Sequence, residues 1–368
     1  MKTDSARDSP FGHVGLGGMF RSSRTRRPGE VNLKSCGLLH RSAAEFHAAT
    51  LSHIDPIEVL SYPVYDETYA LAAEYLGVNT DMLVLTSGSD PGLGLLVRAF
   101  PAAKRIVLHT PNFEGWSKFA VIAGATLDPV PPSAHTGQFQ FTDLLDRLGQ
   151  GPPAFVVLTQ PHSYTGQVHT AAEIEELAYQ VGRHGSLLVL DTAYLAFTEG
   201  GEDLVRGVVG LPHVVRVNSF SKSHGLSGAR IAALALHPTR ANNLFDLDPE
   251  GTISGVALAL LRAALAEPAV FDTIQAEVRR LRELFAALID ESPFGWRARP
   301  SGGNFVTFDA PEPAAIAAAH AYLQQHGVIT RDLSGLPGLT AAIRIAVADE
   351  AIMFRVVDLL TAWHREST

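Results

Sequence analysis

Lys222 is the residue whose type and setting most suggest chemistry. It stands in Asn218-Ser219-Phe220-Ser221-Lys222-Ser223-His224-Gly225-Leu226-Ser227-Gly228-Ala229-Arg230. A lone loop lysine is usually only solvated. This one follows an apolar run, is flanked by hydroxyls and leads into chain whose small residues permit a tight loop. An amine so placed can form an imine with an aldehyde. Ser219, Ser221 and Arg230 can hold a phosphate.

Four other segments carry polar groups at the ends of apolar runs. Thr86-Ser87-Gly88-Ser89-Asp90 offers small residues and free N–H groups before a helix, a phosphate cradle. His109-Thr110-Pro111-Asn112-Phe113 places an aromatic where it can stack on a flat ring. Gln160-Pro161-His162-Ser163-Tyr164-Thr165-Gly166 is a polar turn. Leu190-Asp191-Thr192-Ala193-Tyr194 puts a carboxylate directly after a buried strand, where it needs a cationic partner such as a protonated ring nitrogen. Each alone has a plain structural explanation: a helix cap, a loop aromatic over the core edge, a turn, a salt bridge. Together they supply a phosphate site, a stacking ring, a carboxylate and an imine-forming lysine. Pyridoxal 5'-phosphate needs all four.

These groups must be positioned by a regular frame, and the apolar pattern describes one. Strands are predicted at 82–86, 105–109, 154–159, 187–190, 214–217 and 230–236, and helices at 93–100, 116–123 and 170–183. Apolar runs of this length mean burial on both faces, as in a parallel sheet covered by helices. Thr170 with Glu173 three residues on predicts a capping box. The pattern is α/β, a doubly wound, mostly parallel sheet whose ligands lie beyond the carboxyl ends of the strands. After about residue 265 the texture becomes α+β. A long amphipathic helix over 269–289 is followed by strands at 304–308 and 343–347 and helices at 313–325 and 350–364. The expected organisation is an arm over 1–30, a large domain over 61–265, and a smaller domain from 31–60 and 266–368. The arm carries six basic residues against three acidic ones, and a solvated tail is preferred to an arm docked on a second subunit.

Composition bounds the rest. With 46% hydrophobic and 18% charged residues in a chain of 368, a substantial core can be buried. A formal charge of -9 argues against a nucleic-acid partner. The single cysteine, Cys36, excludes an intramolecular disulfide framework and a Cys-rich zinc site, and no metal is expected. No apolar run approaches a membrane span and residues 1–10 are polar, so a cytoplasmic protein without a leader is expected. Gly15-Leu16-Gly17-Gly18 is no dinucleotide loop, because no strand precedes it and Phe20 stands at the third glycine position. No Gly-x-Ser-x-Gly elbow follows a strand.

Ser219 to Arg230 closely resembles the lysine signature of fold-type I pyridoxal-phosphate enzymes. From about residue 60 onward the chain is similar to the histidinol-phosphate aminotransferase and threonine-phosphate decarboxylase branch of the class I/II aminotransferases. The resemblance implies that Lys222 carries the cofactor and later the proton. It implies that Asp191 pairs with the pyridine nitrogen and Tyr194 donates to the phenolic oxygen. Ser219, Ser221, Arg230 and the amides of Ser89 and Asp90 would hold the phosphate, with Phe113 stacking on the ring. Tyr62 would reach the phosphate of a neighbouring subunit, which implies a homodimer with shared sites. Arg344 would clamp the substrate α-carboxylate and Asn304 would lie near the substrate mouth.

Three departures stand out. The family's Asn-Pro-Thr-Gly is Ser163-Tyr164-Thr165-Gly166 here, so Ser163 does less for the phenolic oxygen, or His162 substitutes. Asn32 to Gly37 replaces a family stretch that lines the substrate pocket, and Ser61 replaces an arginine before Tyr62-Pro63. These departures favour a relative in specialised metabolism. The expected function is amino-group transfer from an amino-acid-like substrate. Decarboxylation, or β/γ-elimination, replacement or cyclisation on the same scaffold, is the alternative. A non-catalytic binding protein is the reading from a different class, and the presence of Lys222, Asp191 and Arg230 argues against it.

Overall fold

A computed structural model describes residues 29–134, 136–247 and 252–367. The arm expected over 1–30 lies outside the described residues except for Gly29 and Glu30. In chain order the strands are β1 (Val31–Asn32), β2 (Leu83–Thr86), β3 (Arg105–His109), β4 (Thr126–Val130), β5 (Phe155–Thr159), β6 (Leu187–Asp191) and β7 (Val214–Ser219). They continue with β8 (Ala232–Leu236), β9 (Arg297–Ala298), β10 (Phe305–Asp309), β11 (Val328–Ile329), β12 (Arg331–Asp332) and β13 (Ala342–Ala346).

Seven of them form one sheet in the order β2-β8-β7-β6-β5-β3-β4. Alternate side chains of its central strands enter opposite cores. Phe155, Val157, Leu187 and Val189 pack with Leu96, Trp116 and Phe119 on one face. Val156, Leu158, Leu188 and Leu190 pack with Ile174, Leu177 and Val181 on the other. Burial on both faces is why these strands read as unbroken apolar runs.

One strand departs from the parallel run. β8 is antiparallel to both β7 and β2, with Ala232 opposite Ser219 and Thr86. The chain between β7 and β8 holds only the single turn Phe220–Ser223 and brings β8 back beside β7 in the opposite direction. The reversal has a consequence for chemistry. Thr86, His109, Thr159, Asp191 and Ser219 end strands that point one way, and the start of β8 falls on that same edge. Arg230, two residues before β8, is thereby delivered beside the ends of β2 and β7.

A second core joins the long helix Pro268–Asp290 to an antiparallel sheet of order β12-β13-β10-β9. Phe271, Val278, Leu281 and Phe285 of the helix meet Phe305, Phe308, Ile343 and Ile345 of the sheet. Leu33, Cys36 and Leu38 pack into this same core, and Val347 and the last helix, Glu350–Ser367, complete it. The N-terminal stretch 33–38 is thus held against elements from the far end of the chain. β1 pairs in parallel with β11 and fixes its register.

Candidate functional site

The strand ends bring most of the singled-out residues to one edge. The helix Ser89–Ala99 begins directly after β2, and Gly88 caps it with φ 108°. A side chain at Gly88 would be strained by that backbone and would put its Cβ 2.6 Å from Arg230 Nη2. The guanidinium therefore lies over the helix start that Ser89 and Asp90 form. Arg230 itself adopts φ 59° and donates to the Ser227 carbonyl at 3.4 Å. Free N–H groups and a guanidinium converging on one point make an anion site.

Lys222 sits in the single turn Phe220–Ser223 that follows β7, between buried Ser221 and Ser223. Its Nζ donates to the Ser35 carbonyl at 2.5 Å and lies 5.9 Å from the centre of the Tyr194 ring. Burial lowers its amine pKa, with Arg344 and Arg230 acting in the same direction against the opposing influence of Cys36. Ser219 and Ser221 are buried, and the Ser221 carbonyl accepts from Ser227 Oγ at 2.8 Å.

Asp191 ends β6, two strands of the sheet being paired on either side of it. It is buried, and its carboxylate accepts from the Ala193 amide at 3.3 Å. Burial pushes its carboxyl up to about 6, against the Ala193 bond and the Trp116 indole, which faces it. No hydrogen bond satisfies that indole N–H in strict geometry. Tyr194 is buried edge-on against Phe305, at 5.2 Å between ring centres. Burial raises its phenol pKa, and Cys36 and Asp191 add to the rise.

Arg344, in the middle of β13, is buried with its guanidinium 5.0 Å from the Phe305 ring and 5.3 Å from that of Tyr164. It donates to the Ser163 carbonyl and, at 2.8 Å, to the Lys34 carbonyl, while its Nε has no partner. Asn304 is fully buried, donating to the Cys36 carbonyl at 3.1 Å with its own Oδ1 unpartnered. Backbone carbonyls of Lys34, Ser35 and Cys36 thus face Arg344, Lys222 and Asn304 in turn. The stretch Lys34 to Cys36 therefore lines the site.

Other residues stand at or outside the margin of this gathering. His162 does not substitute for the missing asparagine: it is buried with Nε2 on the Pro111 carbonyl and Nδ1 on Thr165, both at 3.0 Å. Burial holds its pKa well below 6.5. Phe113 is half exposed, and its ring lies so close over Gly115 that any Cβ there would collide with it. Tyr62 is 95% exposed and is not gathered with the other residues. Asn112, which its loop position did not single out, accepts from Ser163 Oγ at 3.3 Å. No group of His, Cys, Asp and Glu among the described residues is arranged to hold a metal ion.

Residues 53–358 match the family described as aminotransferase class I and II. The chain belongs to that family. It is therefore a pyridoxal-phosphate-dependent aminotransferase. The chain is 30% identical over 310 residues to a histidinol-phosphate aminotransferase of Roseobacter denitrificans, covering 83% of this chain and 84% of the relative. Its fold is similar to that of the Sinorhizobium meliloti histidinol-phosphate aminotransferase solved in complex with pyridoxal-5'-phosphate. The TM-score is 0.78 at 22% identity, covering 92% of each chain. It is also similar to L-threonine-O-3-phosphate decarboxylase from Porphyromonas gingivalis, with a TM-score of 0.75 at 19% identity over 91% of this chain and 99% of that one. A fold-type I enzyme with a large, mostly parallel sheet and a smaller α+β part is the architecture these neighbours share. No described helix of this aminotransferase is long and apolar enough to cross a membrane.

Proposed function

We propose that this aminotransferase moves an amino group from an amino-acid-like donor to a keto acceptor at the edge where β2, β6 and β7 end. The observation that carries the assignment is the pair Lys222 and Asp191. A half-buried amine of lowered pKa and a buried carboxyl raised to about 6 stand at neighbouring strand ends. The carboxylate lacks a cation, and a protonated pyridine nitrogen satisfies it. When bound, pyridoxal phosphate supplies an aldehyde for the amine and a ring that accepts electrons from the substrate carbon.

In this reading Lys222 carries the cofactor and, once freed, moves the α-proton, a task suited to an amine of lowered pKa. Asp191 holds the ring nitrogen protonated, and Tyr194 donates to the phenolic oxygen. Ser89, Asp90, Ser219, Ser221 and Arg230 take the phosphate, and Phe113 covers the ring. Arg344 takes the substrate carboxylate, a planar two-point task for a guanidinium, with Asn304 and Ser163 in the adjoining wall. The carbonyls of Ser163 and Lys34 hold the fork until the carboxylate replaces them. Residues 61–265 are the cofactor domain, and 31–60 with 266–368 the smaller one.

A homodimer belongs to the same reading. Leu51, Ile57, Val59, Leu60, Tyr62 and Val64 are all exposed within fourteen residues. A patch of that kind marks an interface. On a second copy it would place Tyr62 at the neighbouring phosphate.

The test begins with colour. Protein supplied with pyridoxal phosphate turns yellow, and borohydride fixes the cofactor to the peptide holding Lys222. Lys222→Ala loses the band and about 10³-fold in rate. An unchanged band in that variant, or label on another lysine, sinks the assignment. A panel of amino acids then yields keto acids by product mass; release of carbon dioxide instead would replace transfer with decarboxylation.

A further inference from the structure

Asn112 follows β3 and reaches across the strand ends. Its Oδ1 accepts three hydrogen bonds, from Phe113 N at 2.7 Å, Thr159 Oγ1 at 3.0 Å and Ser163 Oγ at 3.3 Å. The Phe113 amide can only donate, so the oxygen of the side chain is fixed as the acceptor and Nδ2 is turned away from it. That Nδ2 is buried and has no partner. An amide held by three donors with its own donor left over is costly unless something binds the free N–H.

The supports show where the amide stands. Thr159 is the register partner of Asp191 across β5 and β6. Ser163 presents its carbonyl to Arg344. The amide is therefore tied to the wall between the ring-nitrogen carboxylate and the substrate guanidinium. A pyridoxal ring lying there carries a negative phenolic oxygen, which wants an N–H donor. Ser163, whose hydroxyl is already spent on Asn112, does not offer one, and His162 has both nitrogens engaged.

We propose that Asn112 Nδ2 is a second donor to the phenolic oxygen of the cofactor, beside Tyr194, and that Ser163 acts through Asn112 as its positioning residue. The two positions have exchanged tasks relative to chains that carry asparagine at 163. The inference rests on the cofactor-site reading above.

The test is a pH titration of the yellow absorbance of full-length protein loaded with pyridoxal phosphate. Removing a donor leaves more charge on the phenolic oxygen. That charge holds the neighbouring proton of the lysine linkage more tightly. Asn112→Ala should raise the midpoint by about one pH unit, the scale of a lost hydrogen bond to an ionised group. Asn112→Asp, which keeps the shape and removes the donor, should raise it also. Ser163→Ala should move it less, and Asn112→Ala with Ser163→Asn should bring it back toward the wild-type value. An unchanged midpoint in folded Asn112→Ala and Asn112→Asp, or an equal shift in Ser163→Ala, overturns this inference alone. Wild-type protein that takes up no cofactor overturns the site reading and this inference with it.

Discussion

Asp191 shows how one side chain links stability to cofactor binding. Its carboxyl is buried, hydrogen-bonded only weakly, and raised from 3.8 to about 6 in the cofactor-free protein. A raised carboxyl contributes stability that is full below the unfolded value and is lost as pH rises through about 6. At pH 8 the cofactor-free fold therefore carries an uncompensated charge costing up to about 3 kcal/mol, about two pKa units. Asp191→Asn should make the cofactor-free protein melt higher at pH 8 and little differently at pH 5. The same variant should lose most transfer activity, because a neutral amide cannot keep the ring nitrogen protonated. Melting curves at the two pH values, with and without pyridoxal phosphate, check both halves. A variant that melts lower than wild type at pH 8 would show that the carboxylate is already compensated within the protein.

Elements hold these side chains through contacts that can be removed one at a time. The helix Ala171–Arg183 opens with the predicted capping box, Thr170 accepting from the Glu173 amide and Glu173 from the Thr170 amide. Thr170→Ala should cost about 1 kcal/mol in urea unfolding. Beneath the ends of β6 and β7, fully buried Arg216 donates to both oxygens of Glu202 at 2.7 Å and to Thr192 at 3.1 Å. Glu202→Ala leaves that charge unpaired and should cost about 3 kcal/mol, near the low end for a buried pair because Glu202 is 39% exposed and water can reach it. A loss under 1 kcal/mol would mean that solvent already compensates Arg216. The elements most legible from sequence are those with an unbroken apolar run or a clean helical period. β3 and the helix Pro313–Gln325 fall where the apolar pattern puts them, and so does the capped helix. Others were hidden for physical reasons. β4 is a half-exposed edge strand containing Pro129, and the helix Arg41–Ser52 buries only Ala43. The reversal of β8 is a matter of strand direction, which apolar runs do not record. Lys222, Asp191 and Arg230 were legible because their side chains are unusual at a strand end. The carbonyls of Lys34 and Ser35 were not, since every residue has one. Asn112 was not, because its meaning lies in bonds to residues 47 and 51 positions away.

The whole molecule carries a net charge of -9, yet it leaves an apolar stretch open at 51–64. Two copies joined through it should sediment as a dimer, and Leu60→Asp with Val59→Asp should give a monomer with most activity lost if Tyr62 serves the neighbouring site. A monomeric variant of full activity would remove Tyr62 from the site. Acid acts on the opposite side of the fold's balance, through its buried histidines. His109 is lowered to about 4 and His224 to about 3, both chiefly by burial, and His162 is held well below 6.5. A histidine kept neutral in the fold contributes stability that is full above about 6.5 and is lost as pH falls toward the folded value. For His109 that is up to about 3 kcal/mol, from a shift of roughly two and a half units. The unfolding free energy should therefore fall steeply between pH 6 and 4, by about 1.4 kcal/mol per pH unit for each proton taken up on unfolding. His109 lies 4.8 Å from Phe139 and bonds the Gln140 carbonyl at 3.0 Å, so His109→Gln can keep a donor while removing the titration. Urea unfolding at a series of pH values should give this variant a slope shallower by about one proton over that range. An unchanged slope would mean that His109 already takes up its proton in the folded protein.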